Sequence, residues 1–153
     1  MKLCLLFFLL LLNSAKGQNV ELNDLHTIAR CGFPELDYLM LGKHSFTRVT
    51  EIEDHNQRVY TNDSSEPDRL MVITVIKTAD SCGNVLSIVN GSEQSVVKLK
   101  ADLPSEGFVY SGKKKITEDI TVSQYTKENF TVSVTDTTTS TGAYQVLFAC
   151  KTF

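Results

Sequence analysis

The sequence predicts a mainly β fold: an antiparallel β-sandwich or jelly roll with a short N-terminal helical segment. Three observations carry that prediction. From residue 45 onward, about nine short runs rich in Val, Ile, Thr, Tyr and Phe succeed one another, and several alternate apolar with polar residues. Clusters of Gly, Pro, Asn, Asp and Ser separate them, as turns require. There is no βαβ alternation and no internal repeat, so a parallel sheet is not expected.

The elements follow in chain order. Leu22, Leu25, Ile28 and Ala29 recur at three- and four-residue spacing, which predicts a helix around Glu21–Arg30. Cys31-Gly32-Phe33-Pro34 ends it, and Glu35–Leu41 reads as a further helical turn or an irregular packing segment. Strands are predicted over Phe46–Ile52, Gln57–Thr61, Arg69–Thr78, Asn84–Val89, Ser95–Lys100, Gly107–Tyr110, Lys115–Tyr125, Asn129–Thr135 and Ala143–Lys151. Phe130, Val132 and Val134 should share one face, and Tyr144, Val146 and Phe148 likewise, making these two strands hairpin partners. The nearly continuous apolar run Leu70–Ile76 suggests a central strand covered on both faces.

The N-terminus carries a compartment signal. Met1-Lys2 precedes ten apolar residues, Leu3–Leu12, and small residues follow at Ala15 and Gly17. That run suits a signal-peptide core and falls short of the roughly 20 residues a membrane span needs. Residues 1–17 are therefore expected to be removed, leaving a single secreted domain over 18–153. No other run approaches spanning length. Three sequons fit a secreted glycoprotein, at Asn62, Asn90 and Asn129. Asn90, before Gly91, is expected on a turn, and Asn129 is expected to face solvent at a strand start.

Cys4 leaves with the leader, so the mature chain keeps Cys31, Cys82 and Cys150. In an oxidising compartment two should pair, and the odd thiol leaves open a covalent dimer, capping by a small thiol or burial. All three pairings are open. A bridge involving Cys31 is favoured, because its Gly-Pro neighbourhood needs anchoring.

With 15 basic and 18 acidic residues the formal net charge is −3, and losing Lys2 and Lys16 makes it more negative. A nucleic-acid partner is not expected of such a chain. At 42% hydrophobic it can bury a core. His26, His44 and His55 are scattered, and no nucleophile motif, zinc spacing or phosphate loop accompanies them. No catalysis, cofactor or metal is expected. Glu51, Glu53, Asp54, Asp63, Glu66 and Asp68 match no calcium-loop spacing. Lys113-Lys114-Lys115 reads as a charged turn that protects an edge strand.

The stretch Ser81-Cys82-Gly83-Asn84-Val85-Leu86-Ser87-Ile88-Val89-Asn90-Gly91-Ser92 resembles the Cys…Leu-x-Ile-x-Asp-Gly segment of CUB domains. Phe130–Asp136, followed by Gly142–Val146, is similar to that family's closing strands and glycine, and Cys31-Gly32 to its opening pair. The resemblance implies a β-sandwich that binds through loops. The chain departs from it in having no Trp and no second or fourth family cysteine. Asn84 and Asp136 fall near two of the family's calcium positions without a third, so no metal ligands carry over.

The functional expectation is a secreted, non-catalytic recognition module for an extracellular protein or glycan. Its binding-loop candidates are Asp80, Asn84 and Asp136. The alternative is a secreted carrier of a hydrophobic small molecule.

Overall fold

The structure, a computed structural model, describes residues 20–79 and 82–150. The predicted leader, the Gln18 start and Asp80 lie outside the described residues. Helix α1 (Leu22–Arg30) begins where Asp24 accepts a hydrogen bond from the Glu21 N–H at 3.2 Å. It buries Leu22, Leu25, Ile28 and Ala29, the face that the spacing predicts. Helix α2 (Phe33–Asp37), with Pro34 in its first turn, runs directly into a π-helical turn, Tyr38–Lys43.

The strands are β1 (Thr47–Arg48), β2 (Gln57–Thr61), β3 (Met71–Ile76), β4 (Val85–Asn90), β5 (Val109–Lys115), β6 (Thr121–Lys127), β7 (Phe130–Thr135) and β8 (Tyr144–Cys150). All eight join one antiparallel sheet in the order β1-β2-β3-β4-β8-β7-β6-β5. The mainly β prediction therefore holds, whereas the expected division into two sheets is not seen among the described residues. Two meanders, β1–β4 and β5–β8, meet where β4 pairs with β8, with Leu86 opposite Phe148 and Ile88 opposite Val146.

Helix α3 (Glu93–Ser105) carries the chain from β4 in mid-sheet to the edge strand β5. Part of it, Ser95–Lys100, was expected as a strand, and the helix corrects that. Ser92 caps it, its hydroxyl accepting from the Ser95 N–H at 3.2 Å, and Glu93 sits favourably in the first turn. Val96 and Leu103 are buried and Leu99 packs beside them, a helical spacing.

One sheet face forms the core with the helices. Ile73, Val75, Leu86, Val132, Val134 and Phe148 are fully buried there beneath Leu25 and Ile28 of α1. Strand β3 alternates buried and half-buried residues, so the expected covering of Leu70–Ile76 on both faces is not found. On the opposite face, Leu147 remains 45% exposed. Strands β7 and β8 pair as expected, with Val134 opposite Val146 and Val132 opposite Phe148.

Phe46–Ile52 shrinks to the two residues of β1 and a 3₁₀ turn, Thr50–Ile52. Side chains take over where a longer strand would have paired. Arg48 donates to both Glu53 carboxylate oxygens and to Asp37, and Glu53 accepts the Val59 N–H at 2.9 Å.

The disulfide joins Cys82 to Cys150, with the α-carbons 5.3 Å apart, and Cys31 is free. This corrects the expected bridge at Cys31. That segment is anchored by Asn84 instead: its N–H donates to the Ala29 carbonyl at 2.7 Å and its Nδ2 to the Cys31 carbonyl at 2.9 Å.

Candidate functional site

The sheet has two ends. Register places Asn90, Tyr144, Thr135 and Lys115 at one end, and Leu86, Cys150, Phe130 and Lys127 toward the other. The first end holds the loop 136–142 between β7 and β8, where Asp136 was predicted to take part in binding.

Asp136 is the root of that loop. Its Oδ1 accepts hydrogen bonds from Ser123 Oγ of β6 at 2.7 Å and from Lys100 Nζ of α3 at 2.9 Å. Lys113 Nζ of β5 lies 2.9 Å from Oδ2 as an ion pair, and the Asp136 N–H donates to the Thr121 carbonyl. Burial alone would raise the pKa of this carboxyl. The contacts with Lys113, Ser123 and Lys100 outweigh it and hold the group well below the usual carboxylate range. One ionised side chain thus ties a helix, two strands and a loop together.

Beyond this root the loop is braced by itself. Thr139 Oγ1 sits 2.8 Å from Thr141 Oγ1 and donates to the Ala143 carbonyl at 3.0 Å. Gly142 adopts φ +79°, a conformation that favours glycine, and lets the chain re-enter the sheet as β8. Thr137, Thr138, Ser140 and Thr141 are exposed. The loop's root meets β5 through the Asp136–Lys113 ion pair, and the structure places Lys113–Lys115 within edge strand β5 rather than on a turn. Among the described residues no further strand covers that edge. Lys98 and Lys100, expected on a strand, project from α3, where Lys98 pairs with Asp102.

The other predicted residues are dispersed. Asn84 is buried and serves the fold at the α1 terminus, offering no side chain to a partner. Asn90 ends β4 rather than occupying a turn, and is only 7% exposed. Asn62 closes the loop before β3: its Oδ1 accepts the Met71 N–H at 2.9 Å and its Nδ2 donates to the Arg69 carbonyl at 2.8 Å. Asn129 is exposed on the two-residue turn between β6 and β7. Cys82 and Cys150 sit at that same end, and Cys31 is half-buried close by, where burial raises its thiol pKa.

Three features escaped the sequence. His26 lies in a cage of Phe108, Phe130 and Phe148, with ring centroids 4.7–5.8 Å away, and burial lowers its pKa. Arg48, Asp37, Glu53 and the Tyr60 hydroxyl form a second network, in which Tyr60 donates to Asp37 at 2.6 Å. A cavity of about 110 Å³ lies between α1, α3 and the sheet, walled by Leu22, Leu25, Met71, Val96 and Val146, with Asn90 and Asp102 among its polar lining. No grouping of three or more His, Cys, Asp or Glu suited to a metal ion occurs among the described residues, and no helix there is long and apolar enough to cross a membrane.

No protein-family model matches this chain, and no curated protein or solved structure matches it either.

Proposed function

We propose that this chain is a secreted, non-catalytic recognition module that binds an extracellular protein or glycan through the 136–142 loop and the adjoining lysine-bearing edge of β5. One observation carries the reading: Asp136 fixes the loop's root on three elements, while four hydroxyl side chains beyond it remain free of the core. A polar surface held in place before contact loses less conformational entropy on binding than a floppy loop would. Lysines beside hydroxyl groups suit an acidic or hydroxyl-rich partner. The Cys82–Cys150 bridge supports an oxidising compartment, and the leader-like N-terminus supports secretion.

The carrier reading has the helix-roofed cavity in its favour. At about 110 Å³ it is smaller than the ~150 Å³ cavities known to accept benzene, so a lipid does not fit without displacing α1 or α3.

The test uses the mature protein and a variant with Thr137, Thr138, Ser140 and Thr141 all changed to Ala. Both are applied to panels of extracellular glycans and ectodomains. The parent should bind a subset and the variant should lose it while melting at the same temperature. Equal binding by the two would overturn the loop reading. A small apolar molecule found in the native mass spectrum would move the assignment to the carrier.

A further inference from the structure

The three sequons are chemically equivalent in the sequence and very unlike one another in the fold. We propose that Asn129 alone carries an N-glycan in the folded protein, and that this glycan covers the Cys82–Cys150 end of the sheet. The proposal rests on the secretory reading above.

Attachment joins Asn129 Nδ2 to C1 of the first sugar of a lipid-linked oligosaccharide diphosphate. The C1–O bond to the diphosphate breaks, the lipid diphosphate departs, and Nδ2 gives up one proton. Transfer takes place on the nascent chain, so the fold does not block it. The fold decides instead which glycosylated chain can close its core.

At Asn129 nothing among the described residues stands in the way. The residue occupies the second position of the turn between Lys127 and Phe130, after Glu128 with φ +50°. It is exposed, and its carboxamide makes no hydrogen bond to the described residues. Beside it opens a cleft of about 550 Å³ bordered by Arg30, Cys82, Gly83, Glu128 and Cys150. A first sugar therefore has space next to the disulfide, with the Arg30 guanidinium, itself over the Phe130 ring, within the same cleft.

At Asn90 the opposite holds. Its Oδ1 accepts the Ser92 N–H at 2.8 Å, setting up the α3 cap, and the side chain borders the 110 Å³ cavity under the helices. Gly91 donates to the Leu70 carbonyl at 2.9 Å and lies so close to the Pro67 carbonyl that even a Cβ would collide. An N-acetylhexosamine on Asn90 would have to lever α3 away from β4. At Asn62 both ends of the carboxamide are engaged, holding the 62–71 loop closed.

A glycan on Asn129 lies at the opposite end of the sheet from Asp136. The bridge end is then shielded and the hydroxyl loop stays open to a partner.

The experiment expresses the full chain in a eukaryotic secretory host and measures intact mass before and after an amidase that releases N-glycans. The amidase leaves Asp where a glycosylated Asn stood, so peptide mapping reads all three sites without substitutions that endanger folding. Expected is loss of one glycan mass and Asn-to-Asp conversion at 129 only. Asn129→Gln and, independently, Thr131→Ala should each abolish the mass loss. Conversion at 62 or 90, or a secreted chain without sugar at 129, would overturn the site assignment alone. A chain retaining residues 1–17 and bearing no sugar would overturn the secretory reading as well.

Discussion

Substituting Cys82 by Ser should cost the fold about 4 kcal/mol, and the structure supplies each step of that figure. Cys82 is the exposed partner of the bridge, whereas Cys150 is only 5% exposed, so changing Cys82 removes the cross-link with little loss of packing. The bridge closes a loop of sequence separation 68, for which the chain-entropy relation gives about 4.4 kcal/mol at 25 °C. For a chain of this size that corresponds to roughly 10–15 °C in Tm. The loop spans β4, α3 and β5–β7 and returns through β8, so freeing it enlarges the unfolded ensemble more than it changes the native state. Urea unfolding of the parent and Cys82→Ser proteins measures the difference. The slope m should also rise in the variant, because an uncross-linked unfolded chain exposes more surface. Alkylation of the unreduced native parent should label Cys31 and neither of the other two cysteines. A variant within about 1 kcal/mol of the parent would refute the entropy argument, and label on Cys82 or Cys150 would refute the pairing.

Two further outcomes are expected. Stability should fall as the pH is lowered from 7.5 to 5.5. For His26 the dominant cause is burial, with Lys127 and Arg30 acting in the same direction and Glu106 and Glu128 opposing; for His44 it is burial, opposed by Asp24. Both folded-state pKa values therefore lie below the unfolded value near 6.5, so the unfolded chain gains protons first as the pH falls through that region. Thermal melts of the parent and of a His26→Gln, His44→Gln double variant check this: the parent's Tm should drop and the variant's should change less, and a flat parent profile would refute it. Asp136→Asn keeps the shape but removes the charge that Ser123, Lys100 and Lys113 address, and should cost about 1.5–3 kcal/mol. Lys113→Met should cost clearly less than Asp136→Asn, because solvent screens the ion pair of a lysine that is 62% exposed, yet it should not be silent, because it leaves the buried Asp136 Oδ2 without its counter-charge. Urea midpoints of the two variants decide between a structural latch and an ordinary surface ion pair.

Where a side chain's role follows from its immediate neighbours, the sequence already displays it. Strands β2, β3, β4, β7 and β8 are legible because alternation has period two and turn residues bracket each run, and α1 because its apolar residues keep helical spacing. The Asp136 root could not be read in the same way. Its partners Ser123 and Lys100 lie 13 and 36 residues away, on elements whose juxtaposition depends on the whole sheet. The Arg48 cluster, joined to Tyr60 through Asp37 over 23 residues, is hidden for the same reason. The cysteines make the point most sharply. The Cys31 segment is held by a buried Asn84 carboxamide and not by a disulfide, and no local pattern marks an asparagine for that task.

The misread α3 explains the misread architecture. Val96-Val97 between polar residues satisfies a strand pattern as well as a helical one over six positions, and only the Ser92 cap and Leu103 break the tie. Taken as a strand, that segment adds a ninth short run to a uniform series, and such a series packs most simply as two sheets face to face. Taken as a helix of 13 residues, it spans about 20 Å, enough to cross from the end of β4 to the far edge and deliver the chain to β5. The second meander then works back toward the middle, β5 to β8, until β8 meets the free side of β4. Helices α1 and α3 supply the layer that a second sheet would have supplied, and Leu25, Ile28, Val96 and Leu103 occupy the positions of its inward-facing residues. One ambiguous hexapeptide therefore decides between two sheets and a single helix-covered sheet, and the placement of the Asp136 loop beside the lysines of β5 follows from that decision.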